Sequence, residues 1–101
     1  MIIITGSVSL RDEHRDGAFA LGCEHSARSR HEPGCIAHNC YRDAENPDRM
    51  CFFEQWEDME SVQKHFAVPQ SGEFVREIAG MAIDKPSIRI FSASEVDLPK
   101  A

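Results

Sequence analysis

The sequence predicts an α+β fold of the ferredoxin-like, split β-α-β kind: an antiparallel four-stranded sheet with helices on one face. Three observations carry that prediction. Stretches of period-two alternation and stretches of helical spacing follow one another in the order β-α-β-β-α-(α)-β. The third strand is apolar on both sides and needs a cover beyond the helices, which a second copy of the same sheet, packed about a two-fold axis, would supply. The length, 101 residues with 42% hydrophobic and 28% charged side chains, suits one globular domain. Residues 1–96 are expected to form it and 97–101 a C-terminal tail. A chain this short buries only about 60–65% of the surface its unfolded form exposes, so a homodimer is the expected state.

The first strand is read over residues 2–10, where Ile2, Ile4, Val8 and Leu10 share one side and Thr5, Ser7 and Ser9 the other. Asp12 is placed to cap the next helix, in which Ala18, Leu21, Gly22 and His25 recur at i, i+3, i+4 and i+7. That helix is expected to reach about His31. Glu32-Pro33-Gly34 stops it, because proline lacks a backbone donor and disfavours helical geometry in the residue before it. Cys35–Arg42 and Arg49–Glu57 are rich in strand formers and flank a cluster of turn residues from Asp43 to Asp48, so they read as a hairpin. In the second of them Met50, Phe52 and Trp56 alternate with Cys51 and Phe53, leaving neither side suited to water. Asp58 can cap a short helix with Met59, Val62, His65 and Phe66 on one stripe, ended by Pro69. Phe74, Ile78 and Met81 resume helical spacing after Gly72, and Pro86 precedes a last strand, Ser87–Val96.

Composition excludes several functions. Eleven basic against 17 acidic residues give a formal charge of −6, and no basic stripe tracks phosphates, so nucleic acid is not an expected partner. No apolar stretch approaches the ~20 residues that span a bilayer, and no membrane partner is expected. Thr5, Gly6, Ser7 and Ser9 interrupt the apolar start, which reads as a mature cytoplasmic N-terminus rather than a secretory signal. Cys23, Cys35, Cys40 and Cys51 form no C-x-x-C pair and are expected as four buried thiols.

Glu54 is an acid in the middle of a buried strand, on the side of Phe52 and Trp56. Such a carboxylate must be hydrogen-bonded, paired or protonated. His65, on the inward stripe of the next helix, is the expected answer: Glu54 would fix its tautomer and make it a general base near neutral pH. The plainer alternative is that Glu54 satisfies backbone groups and His65 packs as a core histidine. Trp56, Phe52 and Phe66 offer an aromatic slot for a flat ring, or simply core. His25 on the first helix and His38 on the second strand are candidates for the same cavity, with the hairpin register leaving open whether His38 or Asn39 shares the Glu54 face. A zinc set from His31, Cys35, His38, Cys40 and Cys51 is rejected, because alternation sends Cys35 and Cys40 to opposite faces. No metal site is expected, and no glycine pattern marks a dinucleotide or NTP site.

Glu32-Pro33-Gly34-Cys35, Arg42-Asp43 through Pro47-Asp48-Arg49, Glu54-Gln55-Trp56-Glu57-Asp58 and His65-Phe66 resemble, in order and spacing, the antibiotic biosynthesis monooxygenase family over about residues 2–95. The resemblance implies a dimeric α/β barrel of ferredoxin-like subunits, each with a pocket between sheet and helices. It also implies oxidation of small quinol-like or anthrone-like aromatics by dioxygen without metal, flavin or other cofactor. His65 would be the base, Glu54 its orienting acid and Trp56 a wall for the ring. Haem-degrading members carry asparagine on the first strand and tryptophan on the second helix, where this chain has Ser7 and His65. An isomerase branch, acting on a small phosphorylated sugar-like metabolite, shares the strand glutamate and helix histidine. It has tyrosine at the position of Trp56 and a histidine at that of Ser26, next to His25. A non-catalytic small-molecule-binding dimer is the third expectation.

Overall fold

In the computed structural model, which describes residues 1–100, the alternation at the start of the chain becomes strand β1, Ile2–Ser9. A single 3-10 turn, Asp12–His14, leads into α1, Arg15–Ser29. Asp12 does not cap this helix. It lies inside the 3-10 turn, where its carboxyl bonds that of Asp48 and is held above the usual carboxylate range, while His14 takes the capping position of α1 without a side-chain bond. The helix stops at Ser29, ahead of the expected His31, and the chain turns through Pro33 and Gly34 into β2, Cys35–Arg42. Gly34 has φ +81°, a conformation that favours glycine, and an added Cβ there would strike the Ser61 side chain.

The hairpin forms as expected from β2 and β3, Arg49–Trp56. Helix α2, Met59–Ala67, is capped by Asp58, whose carboxylate accepts from the Ser61 amide at 2.8 Å. Pro69 ends α2 and also opens α3, Pro69–Met81, earlier than the spacing after Gly72 suggested; a first-turn proline needs no intrahelical donor. Strand β4 covers Ser87–Ser92, shorter than the expected Ser87–Val96. The strand order is β2-β3-β1-β4 with every pair antiparallel, which is the ferredoxin-like arrangement.

The helices lie on one face of the sheet, and the core between them has two parts. Val8, Leu10, Ala18, Met50, Ile78 and Ala82 form one; Ile2, Ile4, Trp56 and Val62 form the other. Gly22 lets α1 close on the sheet, since a Cβ there would lie 2.8 Å from Cys40 Sγ and 2.9 Å from Met50 Sδ. Met59 and Phe66, expected on the inward stripe of α2, are exposed, because the stripe is only wide enough to bury Val62 and His65. The thiols also depart from expectation: Cys23 is exposed and Cys35, Cys40 and Cys51 are partly exposed. On the opposite face Phe53, Tyr41 and Phe91 have no helical cover within the chain.

A bulge at Ile36 sets the hairpin register. Cys35 pairs with Trp56 and Ala37 with Gln55, after which His38 pairs with Glu54 and Cys40 with Phe52. His38 therefore shares the Glu54 face and Asn39 does not. The same extra residue brings Cys35 and Cys40 to one face, overturning the alternation argument that had separated them. No helix among the described residues is long and apolar enough to cross a membrane.

Candidate functional site

A cavity of about 360 Å³ opens between the sheet and the helices. Ile4, Gly6, Phe52, Glu54 and Ile88 form its sheet side, His25 comes from α1, His65 and Phe66 from α2, and Phe74, Val75 and Arg76 from α3. Five of the seven residues singled out in the sequence thus meet in one hollow. Trp56 and His38 do not line it: both are 0% exposed and lie behind its wall. Trp56 is no wall for a ring. Its indole Nε1–H donates to Glu54 Oε1 at 3.0 Å, so it holds the carboxylate that the cavity does see.

The bond that fixes His65 goes to Glu32, which the sequence reading named only as part of the helix-ending turn and of the family motif, not as a site residue. His65 Nδ1 lies 2.7 Å from Glu32 Oε1 and donates to it, while Nε2 stands 3.8 Å from Glu54 Oε1. The acid hydrogen-bonded to His65 is Glu32, and Glu54 stands on the side of the other ring nitrogen. Glu32 sits in the turn that Pro33 and Gly34 impose after α1, and that turn is tied to the start of α2 by the Glu57 amide donating to the Gly34 carbonyl at 2.9 Å. Sequence periodicity has no purchase on such a turn residue.

His38 lies against the other side of Glu54, its Nε2 3.4 Å from Oε1, and its Nδ1 shares a 2.8 Å hydrogen bond with Ser26 Oγ. Ser26 was also missed, although it lies one turn beyond Gly22 on the buried stripe of α1 and a wider reading of that stripe would have included it. His25 accepts at Nδ1 from Arg28 at 2.7 Å and stacks on Phe74, with ring centroids 4.2 Å apart and planes 6° from parallel. One ring nitrogen of each of His25, His38 and His65 lies within 4.8 Å of the others.

Burial governs the electrostatics. Removal from water pushes His25 down to about 3, helped by the neighbouring His65 and Arg28. His38 is likewise pushed down to about 3 by burial, then by His25 and His65. Both are neutral at pH 7. Burial raises the Glu54 carboxyl above its ordinary value, and the Trp56 hydrogen bond and His65 oppose that rise. The arrangement therefore presents the His65 ring, the Glu54 carboxyl and the neutral His25 imidazole to a mostly apolar hollow.

Fold and site together define a small α+β domain with an imidazole-and-carboxylate pocket between sheet and helices. The chain belongs to the antibiotic biosynthesis monooxygenase family, whose sequence profile matches residues 1–77. An uncharacterized protein of Synechocystis, sll1783, is 28% identical over 94 residues, 93% of this chain; the chain spans 64% of that relative's length. Among solved structures, a Deinococcus radiodurans protein described by the same family name superposes with a TM-score of 0.92 at 21% identity over 100% of both chains. Rv0793 of Mycobacterium tuberculosis superposes with a TM-score of 0.87 at 15% identity, covering 94% of this chain and 96% of its own. At those identities the structures bear on the fold.

Proposed function

We propose that the protein is a cofactor-independent monooxygenase that oxidises a small quinol-like or polyphenolic aromatic with dioxygen, with His65 as the base. The observation that carries this reading is the Glu32–His65 hydrogen bond, which commits the Nδ1 proton and leaves the Nε2 lone pair on the cavity side. Phe52, Phe66, Phe74 and Ile88 give that cavity walls suited to a flat ring. For an anthrone-like ring methylene, Nε2 takes the acidic proton and Glu32 and Glu54 favour the imidazolium so formed. The delocalised anion passes one electron to dioxygen, and the radical pair joins at the ring carbon as a peroxide that takes back the proton from the His65 imidazolium to become a hydroperoxide. Loss of water then leaves a carbonyl. One oxygen atom stays in the product, the other leaves as water, and the methylene supplies all four electrons.

Membership of the family and the paired strand and helix residues support this reading. A homodimer belongs to the same proposal, supported by the uncovered sheet face around Phe53. One observation favours a second reading: Arg76 lines the cavity and would suit a phosphate, as an isomerase of a small phosphorylated sugar-like metabolite requires. That reaction needs no oxygen.

Oxygen uptake over a panel of quinols and anthrones tests the proposal. Wild type is expected to consume oxygen with a His65→Ala rate lower by about 10²–10⁴-fold, the usual worth of a positioned base. Glu32→Gln is expected to lower kcat more than it changes KM, because it disturbs the orientation of the base rather than the ring slot. Equal rates in wild type and His65→Ala would remove the base. Anaerobic turnover of a phosphorylated ketose would instead establish the isomerase.

A further inference from the structure

Three buried donors converge beside the cavity with no role assigned to them as a set. Glu54 Oε1 lies 3.4 Å from His38 Nε2 and 3.8 Å from His65 Nε2. His38 Nε2 has no hydrogen-bond partner among the described residues, although the side chain is 0% exposed. An orphaned polar nitrogen in such a place is costly and needs a partner. The other nitrogen of each imidazole is already engaged, Nδ1 of His65 by Glu32 and Nδ1 of His38 by Ser26, which are the anchors that metal-binding histidines use to aim their free nitrogen.

We infer that His38 Nε2, His65 Nε2 and Glu54 Oε1 form a binding site for a divalent first-row transition ion, with an open position toward the cavity. Two imidazoles and a carboxylate are borderline ligands, matched to Zn²⁺, Fe²⁺ or Co²⁺ rather than to Ca²⁺ or Mg²⁺, which take oxygen. Ligand atoms about 2.0–2.2 Å from such an ion stand about 3.3–3.6 Å apart in tetrahedral geometry, so the 3.4 Å and 3.8 Å spacings to Glu54 Oε1 need only small side-chain adjustments. Glu54 and His65 line the cavity, which gives the ion a route in and leaves its remaining positions facing the hollow. His25 flanks the cluster as a third imidazole, but its Nδ1 is occupied by Arg28 and its proton stands on Nε2, so it is a donor to whatever the ion holds rather than a ligand.

The ion and the proposed base reaction compete for one lone pair, that of His65 Nε2. Metal binding is therefore inhibitory to the oxidation described above, and the two readings fail separately, because binding is measured without turnover. Chelator-stripped full-length protein is titrated with ZnCl₂ by calorimetry and with CoCl₂ by visible absorption. One ion per chain is expected, with Co²⁺ bands of four- or five-coordinate intensity and no thiolate charge-transfer band. His38→Gln and Glu54→Gln, each confirmed as folded by circular dichroism, are expected to weaken binding at least tenfold, and the exposed-site control His31→Gln to leave it unchanged. Weak octahedral Co²⁺ bands, a thiolate band, or no binding by 100 µM Zn²⁺ in wild type would overturn the site without recourse to any variant. Unchanged affinity in both folded variants would do the same.

Discussion

At the scale of single residues, two histidines set the acid tolerance of the fold. His25 and His38 are held at about 3 in the folded chain, against an ordinary 6.5. Between those limits the unfolded chain binds protons that the folded chain refuses, so stability is complete above about pH 6.5 and falls as pH drops toward 3. Glu54 works the other way over a narrower range: its raised carboxyl is relieved by protonation, so acid removes a cost it imposes at neutral pH. The histidines dominate because two are displaced, each by the larger amount. Urea unfolding of chelator-treated protein is expected to give a stability lower by a few kcal/mol at pH 4.5 than at pH 7.5. An equal or greater stability at pH 4.5 would show that these imidazoles are solvated. Glu54, His65 and His25 were legible as candidates because each lies on a periodic element whose inward side the pattern identifies. Glu32 was not, because a turn residue's partner is chosen by where two helices and a strand meet. Trp56 was legible as buried, yet its task of holding Glu54 depends on the indole's direction within that buried layer.

At the scale of elements, glycine positions separate what the backbone needs from what it merely tolerates. Gly34 combines φ +81° with a Cβ position already taken by Ser61, whereas Gly17, inside α1, has nothing within 4 Å of its Cβ position. Gly34→Ala is expected to cost about 2–4 kcal/mol, from left-handed strain and collision together. It should also loosen the turn that carries Glu32, so activity falls with stability. Gly17→Ala is expected to stabilise by about 0.5–1 kcal/mol through helix propensity alone. Thermal and urea denaturation of the two variants checks both signs. The four strands and the order of the helices were readable from periodicity and from Pro33, Pro69 and Pro86. What periodicity missed was phase: the bulge at Ile36 inserts one residue into the alternation, and only the pairing of β2 with β3 shows where it falls. Helix ends moved by a few residues for a similar reason, since proline permits a first turn as readily as it forbids an interior one.

At the scale of the whole molecule, the helices cover one face of the sheet and the other carries Phe53, Tyr41 and Phe91 without a lid from the same chain. A face of that kind on so short a chain favours association. Light scattering after size exclusion is expected to give twice the chain mass at micromolar concentration, and Phe53→Glu, which sets a charge at the centre of the open face, is expected to shift the protein to monomer. A monomeric wild type would end the dimer proposal while leaving the cavity as described. Ile88 ties the two subjects together, for it lines the cavity and yet is 54% exposed on β4, at the sheet's free edge. Any neighbour that covers this edge also reshapes the mouth of the pocket. Were the proposed dimer to cover that edge, ligand affinity would become a function of protein concentration, with no change in pH, salt or sequence.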